Sequence, residues 1–383
     1  MSVVRNWLNI SGLGRKMKCL CLALVLTCLS VVAAQSNIVC YYDNRAAGYG
    51  TPTVPRSLSS TNCTHYVYDG VGVTAQGEIR ILSSFDTASG FDDFQSIRRT
   101  NTNAKLYVLL VSDRDGGKNL TNAIAGRSEK LVNSVAIFLE QYNFDGVEID
   151  RRTSSKDEFD KSALARFVNR LRSRLYMINK QLAVSVSAQF NDAYDITSLS
   201  LYADLINLHA YNFVASTVNT LANLAPLFSS TPNNVVSVNS TVTTWLAAGA
   251  RKNKLNIVLA TYARTYTLAS EDQRTVGARG IGPGEAGANT KRAGILGRYE
   301  ICNQLSEYGS VSDTVTATTH YFKGKSWISI ETEDTLVQKL TYVLDNALAG
   351  VGVFTLDLDD TDNTCGNGAY RISELAHQYF TTG

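Results

Sequence analysis

The sequence predicts an α/β fold, a (β/α)8 TIM barrel with a small α+β subdomain inserted between its seventh and eighth strands. Three observations support this fold class. Eight short segments rich in β-branched and aromatic residues recur along the chain, segments with helical periodicity separate them, and one long glycine-rich stretch interrupts the alternation. An open, doubly wound sheet is the alternative that the same alternation allows.

The predicted strands begin at residue 37, and eight is the number that a closed barrel requires. Their apolar runs are nearly continuous, which is typical of a parallel sheet that is buried on both faces. In chain order the strands read NIVCYY, THYVYDGV, KLYVLLVS, FDGVEID, LAVSVSA, LINLHAY, LNIVLATY and GVGVFTLDL.

The segments between strands predict amphipathic helices, because their apolar residues recur at helical spacing. The two clearest follow the third and fourth strands. Their apolar positions are Leu131, Val135, Phe138 and Leu139 in one, and Leu164, Phe167, Val168, Leu171 and Leu175 in the other.

Residues 263–328 break this alternation with many glycines followed by short strand-like pieces. The stretch is too long for an ordinary connection between a strand and a helix. It predicts an inserted α+β subdomain within a single barrel domain of residues 35–383.

The N-terminus predicts export. Four basic residues precede an apolar run that ends in small residues, which indicates a signal peptide over residues 1–34. An uncleaved signal anchor is the alternative, although the run is short for a membrane span. Cleavage would change the formal charge from +2 to −2, because 32 Lys and Arg would remain against 34 Asp and Glu. We therefore expect a secreted, extracellular protein and neither a nucleic acid nor a membrane as partner.

The cysteines and sequons agree with an oxidising compartment. Four cysteines remain after the leader, an even number. No CxxC spacing or histidine cluster indicates a metal site, and no phosphate-binding glycine loop indicates a cofactor. NLT at Asn119 and NST at Asn239 are candidate glycosylation sites, whereas the sequon at Asn62 contains a cysteine and is doubtful.

The segment FDGVEIDRR at residues 144–152 places three carboxylates on or beside one strand and ends in two arginines. It resembles the D-G-x-D-x-D-x-E signature of the family 18 glycoside hydrolases, the chitinases and chitinase-like proteins. The other strand segments resemble that family too, over residues 37–380. The resemblance implies a TIM barrel with two disulfides, Cys40 to Cys63 and Cys302 to Cys365.

The resemblance also assigns the motif residue by residue. Asp145 keeps the first acid, Glu148 stands where an aspartate is usual, Asp150 keeps the third acid, and Arg152 occupies the position of the glutamate that protonates the glycosidic oxygen. A guanidinium remains protonated near neutral pH, so it cannot act as a general acid. We therefore assign no catalytic residue and expect a pseudoenzyme. The role of Arg152 stays open between an ion pair with Asp150 and ligand binding.

The resemblance implies a ligand cleft whose usual tryptophans are replaced. Tyr211 keeps the position of a tyrosine that binds an acetamido carbonyl, while His209, which we interpret as a hydrogen-bonded core residue, and Asn212 replace a methionine and an aspartate. The candidate ligand contacts are Tyr42, Arg45, Arg114, Arg151, Arg152, Tyr211, Asn212 and Phe354.

Four of these candidates are arginines, a residue that favours carboxylate or sulfate groups. They predict either a cleft for an acidic glycan or arginines neutralised by local acids. The leading hypothesis is a secreted, non-catalytic chitinase-like protein, acting as a lectin or as a growth-factor-type signal resembling the imaginal disc growth factor group. Its partner would be a chito-oligosaccharide, an acidic glycan or an extracellular protein receptor. The alternatives are an active or weakly active chitinase or N-acetylglucosaminidase and a structural matrix or cuticle protein.

Overall fold

The computed structural model describes residues 36–48, 55–112, 118–152, 160–189, 191–214, 219–229 and 236–382. The predicted signal peptide lies outside these ranges, and so does Arg114. In the described part of the chain, no helix is long and apolar enough to span a membrane.

Fifteen strands are present in these ranges. They are β1 (Asn37–Asp43), β2 (His65–Val73), β3 (Ile79–Arg80), β4 (Lys105–Leu110), β5 (Gly146–Arg151), β6 (Gln181–Ser187), β7 (Leu205–His209), β8 (Leu255–Ala260), β9 (Ala263–Leu268), β10 (Gly280–Pro283), β11 (Ile295–Leu296), β12 (Gly309–Asp313), β13 (Thr318–Lys323), β14 (Ser326–Ser329) and β15 (Gly350–Phe354).

Eight of the strands are parallel and form a closed barrel. Their order is β1, β2, β4, β5, β6, β7, β8 and β15, and β15 pairs again with β1. Closure leaves no sheet edge in the barrel to be protected. The predicted barrel is therefore confirmed, and the open-sheet alternative is wrong.

Helices cover the outside of the barrel, and one short helix, Arg298–Ile301, lies in the inserted segment instead. They are α1 (Phe91–Gln95), α2 (Lys118–Gly126), α3 (Ser128–Gln141), α4 (Lys161–Met177), α5 (Ile196–Tyr202), α6 (Val238–Ala247), α7 (Arg298–Ile301), α8 (Glu333–Asp345) and α9 (Arg371–Thr382). The apolar positions predicted for α3 and α4 are all buried. Sequence-encoded caps fix several helix starts: Asp160 accepts a hydrogen bond from the Ser162 amide at the start of α4.

A second, antiparallel sheet follows β8 and precedes β15, so it is inserted between the seventh and eighth barrel strands. Its order is β10, β9, β14, β13 and β12, with β11 also paired to β9. The strands run from Ala263 to Ser329, and the subdomain limits of 263–328 remain a prediction.

Two disulfides have the predicted pairing. Cys40 of β1 is bonded to Cys63, which precedes β2, and Cys302 is bonded to Cys365. The second bond ties the inserted segment to the chain that follows β15. A bond that closes a long loop restricts the unfolded chain most, and this one spans 63 residues.

The alternation of side chains along the barrel strands separates two apolar clusters. The outward cluster packs under the helices and includes Cys40 and Tyr42. The inward cluster fills the barrel and includes Val39 and Tyr41, with Phe354 packed against it. Because side-chain direction alternates strictly along a strand, odd-numbered residues of β1 face the barrel axis.

Candidate functional site

The base of the site is a buried carboxylate at the centre of the barrel. Glu148 of β5 is 0% exposed, and its Oε1 accepts hydrogen bonds from the Tyr41 hydroxyl at 2.7 Å and from Ser185 Oγ. Burial raises the pKa of Glu148, while hydrogen bonds from Ser185, Asn207 and Tyr41 oppose that shift. The two hydroxyl groups therefore hold Glu148 within the barrel.

A chain of hydrogen bonds leads from Glu148 to the mouth of the barrel. Ser185 Oγ lies 3.0 Å from His209 Nε2, and His209 Nδ1 lies 2.7 Å from the Tyr211 hydroxyl. Burial lowers the pKa of His209 well below its ordinary value, and the charge of Arg152 lowers it further. His209 is thus a neutral bridge between two hydroxyl groups, which agrees with the interpretation of it as a hydrogen-bonded core residue.

An ion pair lies beside this chain. Arg152 Nε donates to Asp150 Oδ1 at 2.9 Å, and its Nη2 donates to Oδ2 at 2.8 Å. Burial raises the pKa of Asp150, but the charge and hydrogen bonds of Arg152 outweigh burial and hold that pKa below its ordinary value. The guanidinium carbon also lies 5.1 Å from the centroid of the Phe354 ring. Arg152 therefore contacts both an acid and an aromatic face.

A second arginine–carboxylate pair lies where β1 ends. Arg45 Nε and Nη2 donate to the carboxylate of Asp43, and the Asp43 amide donates to Asp357 Oδ1 at 3.0 Å. Burial and the nearby charge of Asp43 raise the pKa of Asp357 to about 7. Asp69 of β2 pairs with Asp43 in the barrel register and is also buried. Buried acids thus lie at the carboxyl end of β1 and at the paired position within β2.

The aromatic wall of the site comes from β1, from β15 and from the segment that follows β7. The Tyr211 and Phe354 rings stack with centroids 6.0 Å apart, and Tyr41 and Phe354 centroids are 5.4 Å apart. Asn212 donates from Nδ2 to the Tyr262 hydroxyl at 2.6 Å, so Asn212 supports this wall through a neighbouring side chain.

The structure does not bring every candidate to this site. Arg151 is buried on the outward side of β5, where its Nη1 donates to Thr121 of α2 at 3.3 Å. Tyr42 is fully buried in the outward cluster against Tyr68, with ring centroids 5.8 Å apart. Arg114 lies outside the described residues. Arg45, Arg152, Tyr211 and Phe354 remain at the barrel mouth, and Asn212 remains beside them as a support of the aromatic wall.

Asp145, the first acid of the motif, lies at the other end of β5. Its Oδ2 accepts from Arg98 at 2.7 Å and from the Leu106 amide at 2.8 Å. This acid therefore joins β4 to the segment that precedes β5, and it cannot contact a ligand at the carboxyl ends of the strands.

The two candidate sequons lie on helices. Asn119 is in α2, and its Nδ2 donates to the Val73 carbonyl at 3.0 Å. Asn239 is in α6, and its Oδ1 accepts from the Tyr342 hydroxyl at 3.0 Å. Both side chains are half-buried, and glycosylation at either remains a prediction.

Several residues of the site escaped the sequence analysis, among them Tyr41, Ser185 and Asp357. The alternation of side chains could have identified the first. Cys40 and Tyr42 are two residues apart, so their side chains lie on the same face of β1. A disulfide from Cys40 to a residue outside the barrel therefore indicates that Tyr42 faces outward and Tyr41 inward. Ser185 has no comparable signal, because a serine in a buried strand is not distinctive.

The carboxylates that the structure describes at the site are already engaged by neighbouring side chains. Each of the carboxylates Glu148, Asp150 and Asp43 is engaged by a hydroxyl or an arginine, and the position two residues beyond Asp150 carries a permanent cation. No group of metal-ligating side chains occurs among the described residues.

Comparison with known proteins gives a consistent result. The family model described as glycosyl hydrolases family 18 matches residues 37–359. The probable chitinase 10 of Drosophila melanogaster is 30% identical over 370 residues, which cover 89% of this chain and 16% of that protein. Chitotriosidase-1 of Mus musculus is 26% identical over 378 residues, which cover 92% of this chain and 80% of that protein. The chain therefore spans a small part of the first relative and most of the second.

Among solved structures, human YKL-39 is described as a pseudo-chitinase with retained chitooligosaccharide binding properties. It superposes with a TM-score of 0.84 at 21% sequence identity, over 91% of this chain and 100% of that chain. At this identity the likeness establishes a common fold.

Proposed function

The chain belongs to the glycosyl hydrolases of family 18, and we propose that it is a secreted member that binds glycans without hydrolysing them. The observation that carries this proposal is the ion pair of Arg152 with Asp150. The guanidinium occupies the motif position of the proton donor and is held there by two hydrogen bonds. A fixed cation at this position offers no proton to a leaving group.

No other described acid of the motif is placed to replace the donor. Glu148 lies deeper in the barrel than Arg152 and is held by Tyr41 and Ser185. Asp150 has a lowered pKa, so it is ionised near neutral pH and cannot donate a proton either. Hydrolysis by a displaced acid would therefore require rearrangement of two buried groups.

Glycan binding is supported by the aromatic wall and by related proteins. Tyr211 and Phe354 stack at the carboxyl ends of the barrel strands, where ligands of this fold bind. One relative of the same fold is described as a pseudo-chitinase that retains chitooligosaccharide binding. We propose a neutral chito-oligosaccharide as the ligand class.

An acidic glycan is less well supported than the sequence alone indicated. Arg45 and Arg152 are each neutralised by an aspartate, and Arg151 points away from the cleft. Two paired arginines leave little net positive charge for a sulfate or uronate. An extracellular protein receptor, as expected for a growth-factor-type signal, is the alternative partner.

Secretion is part of the proposal and has its own test. Expression in a secretory eukaryotic host should release a protein whose N-terminus lies near Gln35. Mass spectrometry of that protein should find glycans at Asn119 or Asn239. Retention of residues 1–34 on a membrane-bound product would contradict export as a cleaved protein.

The principal experiment measures binding and turnover on one preparation. We expect calorimetry to detect binding of N-acetylchitotetraose and a hydrolysis assay to detect no products. Arg152→Glu should also give no turnover, because the aromatic positions of the cleft differ from the family pattern as well. Turnover by the unmodified protein that is lost in Asp150→Ala would overturn the non-catalytic assignment.

A glycan array separates the remaining partners. Salt-sensitive binding to sulfated or uronic glycans would favour the acidic ligand over the neutral one. Binding to polymeric chitin without binding to soluble oligomers would favour a structural role in a matrix or cuticle. Absence of glycan binding in both assays would overturn the proposal and direct the search to a protein receptor.

A further inference from the structure

His209 holds the hydroxyl group of Tyr211 from within the barrel. The His209 Nδ1 to Tyr211 hydroxyl distance is 2.7 Å, and the two rings are arranged edge to face with centroids 5.6 Å apart. His209 is 5% exposed, so water has little access to compete for Nδ1. The imidazole is therefore the fixed partner of Tyr211 on the protein side.

The hydrogen-bond chain fixes which atom carries each proton. Ser185 Oγ donates its only hydrogen to Glu148 Oε1, so it can only accept from His209 Nε2. A neutral imidazole protonated at Nε2 has a lone pair at Nδ1. That lone pair must accept the hydroxyl hydrogen of Tyr211, because Tyr211 is the group that lies against it.

Rotation of the histidine ring would not release Tyr211 easily. The Tyr41 and Phe354 rings lie edge-on against His209, with centroid distances of 5.7 Å and 5.3 Å. A rotated ring would have to displace these aromatic groups. The positive charge of Arg152 opposes the rise that burial causes in the pKa of the Tyr211 phenol.

We propose that His209 is a specificity-determining residue. Its Nδ1 accepts a hydrogen bond from the Tyr211 hydroxyl, so that hydroxyl can no longer donate to the carbonyl of a ligand. Tyr211 then presents its oxygen to the cleft as an acceptor only. A pyranose with a hydroxyl at C2 can donate to that oxygen, whereas the carbonyl of a 2-acetamido group cannot.

The consequence is a cleft that binds β-1,4-linked pyranose oligomers without requiring the N-acetyl group. This inference rests on the proposed glycan binding at the same cleft. It differs from that proposal in its prediction, because it concerns the ratio of two affinities and not the presence of binding.

Calorimetry with two neutral tetramers tests the ratio. N-acetylchitotetraose and cellotetraose differ at C2, where one has an acetamido group and the other a hydroxyl. We expect the unmodified protein to bind them within about threefold of each other, a difference of about 0.7 kcal/mol. His209→Met should free the Tyr211 hydroxyl and shift the ratio about tenfold toward the acetylated tetramer.

Tyr211→Phe provides the matched control. In the unmodified background it should leave the affinity for N-acetylchitotetraose unchanged, because the hydroxyl hydrogen is not available to that ligand, and it should weaken the binding of cellotetraose, which loses the acceptor for its C2 hydroxyl. In the His209→Met background it should abolish the gain, since the freed donor is then absent. Such a double-mutant cycle isolates the coupling between the two side chains.

A spectroscopic measurement tests the proton positions without any glycan. The chain has four histidines, so a protein labelled with ¹⁵N at histidine gives few signals, and His209→Gln identifies the one that belongs to residue 209. We expect a neutral ring protonated at Nε2 at pH 6. A ring protonated at Nδ1, or a cationic ring, would overturn the inference.

The binding outcomes separate the two proposals. A preference of the unmodified protein for N-acetylchitotetraose of more than about tenfold overturns the role of His209 and leaves glycan binding intact. Binding that appears only in His209→Met supports the role of His209 and overturns glycan binding by the natural protein. No binding by either protein overturns both.

Discussion

Replacement of Arg152 by methionine should destabilise the fold at neutral pH. Methionine keeps an apolar side chain at the position but leaves the carboxylate of Asp150 without its cation. The two side chains are 27% and 3% exposed for Arg152 and Asp150, so the acid is much the more buried partner. Its two hydrogen bonds to the guanidinium, 2.9 Å and 2.8 Å long, would both be lost.

The expected cost follows from the burial of the acid. Removal of one partner from a buried ion pair typically lowers the free energy of unfolding by about 3–5 kcal/mol, because the other charge is left uncompensated. We expect about 3 kcal/mol, the lower end, since a quarter of the Arg152 side chain reaches solvent. Addition of Asp150→Asn to Arg152→Met should recover much of this loss, because the amide carries no charge.

A matched control lies on α4. Arg166 and Asp160 approach to 3.7 Å with side chains 65% and 58% exposed, so Arg166→Met removes an arginine from an ion pair at the surface. We expect this control to cost less than about 0.5 kcal/mol. Urea unfolding can be followed by the fluorescence of Trp245 and Trp327, both of which are buried.

The sign of the pH dependence is a second test of the same pair. Arg152 holds the pKa of Asp150 below its ordinary value in the folded protein. The pair therefore contributes stability above the ordinary pKa of an aspartate, and that contribution is lost as pH falls through the folded value. The difference between Arg152→Met and the unmodified protein should shrink toward acidic pH. A difference below about 1 kcal/mol at pH 7, or one independent of pH, would refute this reasoning.

Three further predictions concern other buried groups. Lys339 is 0% exposed, and its Nζ contacts both carboxylate oxygens of Glu331, at 2.8 Å and 2.7 Å. Lys339→Met would leave the Glu331 carboxylate buried without a cation, so it should lower the free energy of unfolding by about 3–5 kcal/mol in a urea titration. Tyr41→Phe should weaken glycan binding measured by calorimetry, because it releases Glu148, whereas Tyr42→Phe should leave binding unchanged. The raised pKa of Asp357 makes stability fall as pH rises from about 4 to about 7, and Asp357→Asn should flatten that slope in a thermal unfolding series.

The barrel could be predicted because its signals repeat. Eight apolar strands, separated by segments of helical period, leave few topologies, and the parallel pairing of β15 with β1 closes the sheet. The faces of α3 and α4 were predicted correctly for the same reason, since 3.6-residue periodicity over several turns is a local property of the sequence. The second sheet was predicted less sharply, because its strands are short and bounded by glycines.

The site was predicted only in part, and the errors have one physical source. The motif identified Arg152, Tyr211 and Phe354, but Tyr42 and Arg151 are one residue away from inward-facing positions. A shift of one residue along a strand moves a side chain to the opposite face of the sheet. Alignment to a motif identifies the strand and the position of a residue along it. The direction of each side chain follows instead from whether the residue lies an even or an odd number of positions from a residue of known direction.

The alternation of side-chain direction explains why the fourth barrel strand, β5, is followed by a second arginine after Arg151. Glu148, Asp150 and Arg152 face the barrel axis, so Arg152 meets a buried acid and an aromatic ring. Arg151 faces outward, where it contacts Thr121 of α2 and where its carbonyl accepts the Tyr194 hydroxyl at 2.7 Å. The two neighbouring guanidinium groups thus serve different purposes. The Arg152 guanidinium compensates a charge inside the barrel, whereas the Arg151 guanidinium joins β5 to α2. Removal of the Arg151 side chain should therefore lower stability and leave glycan binding unchanged.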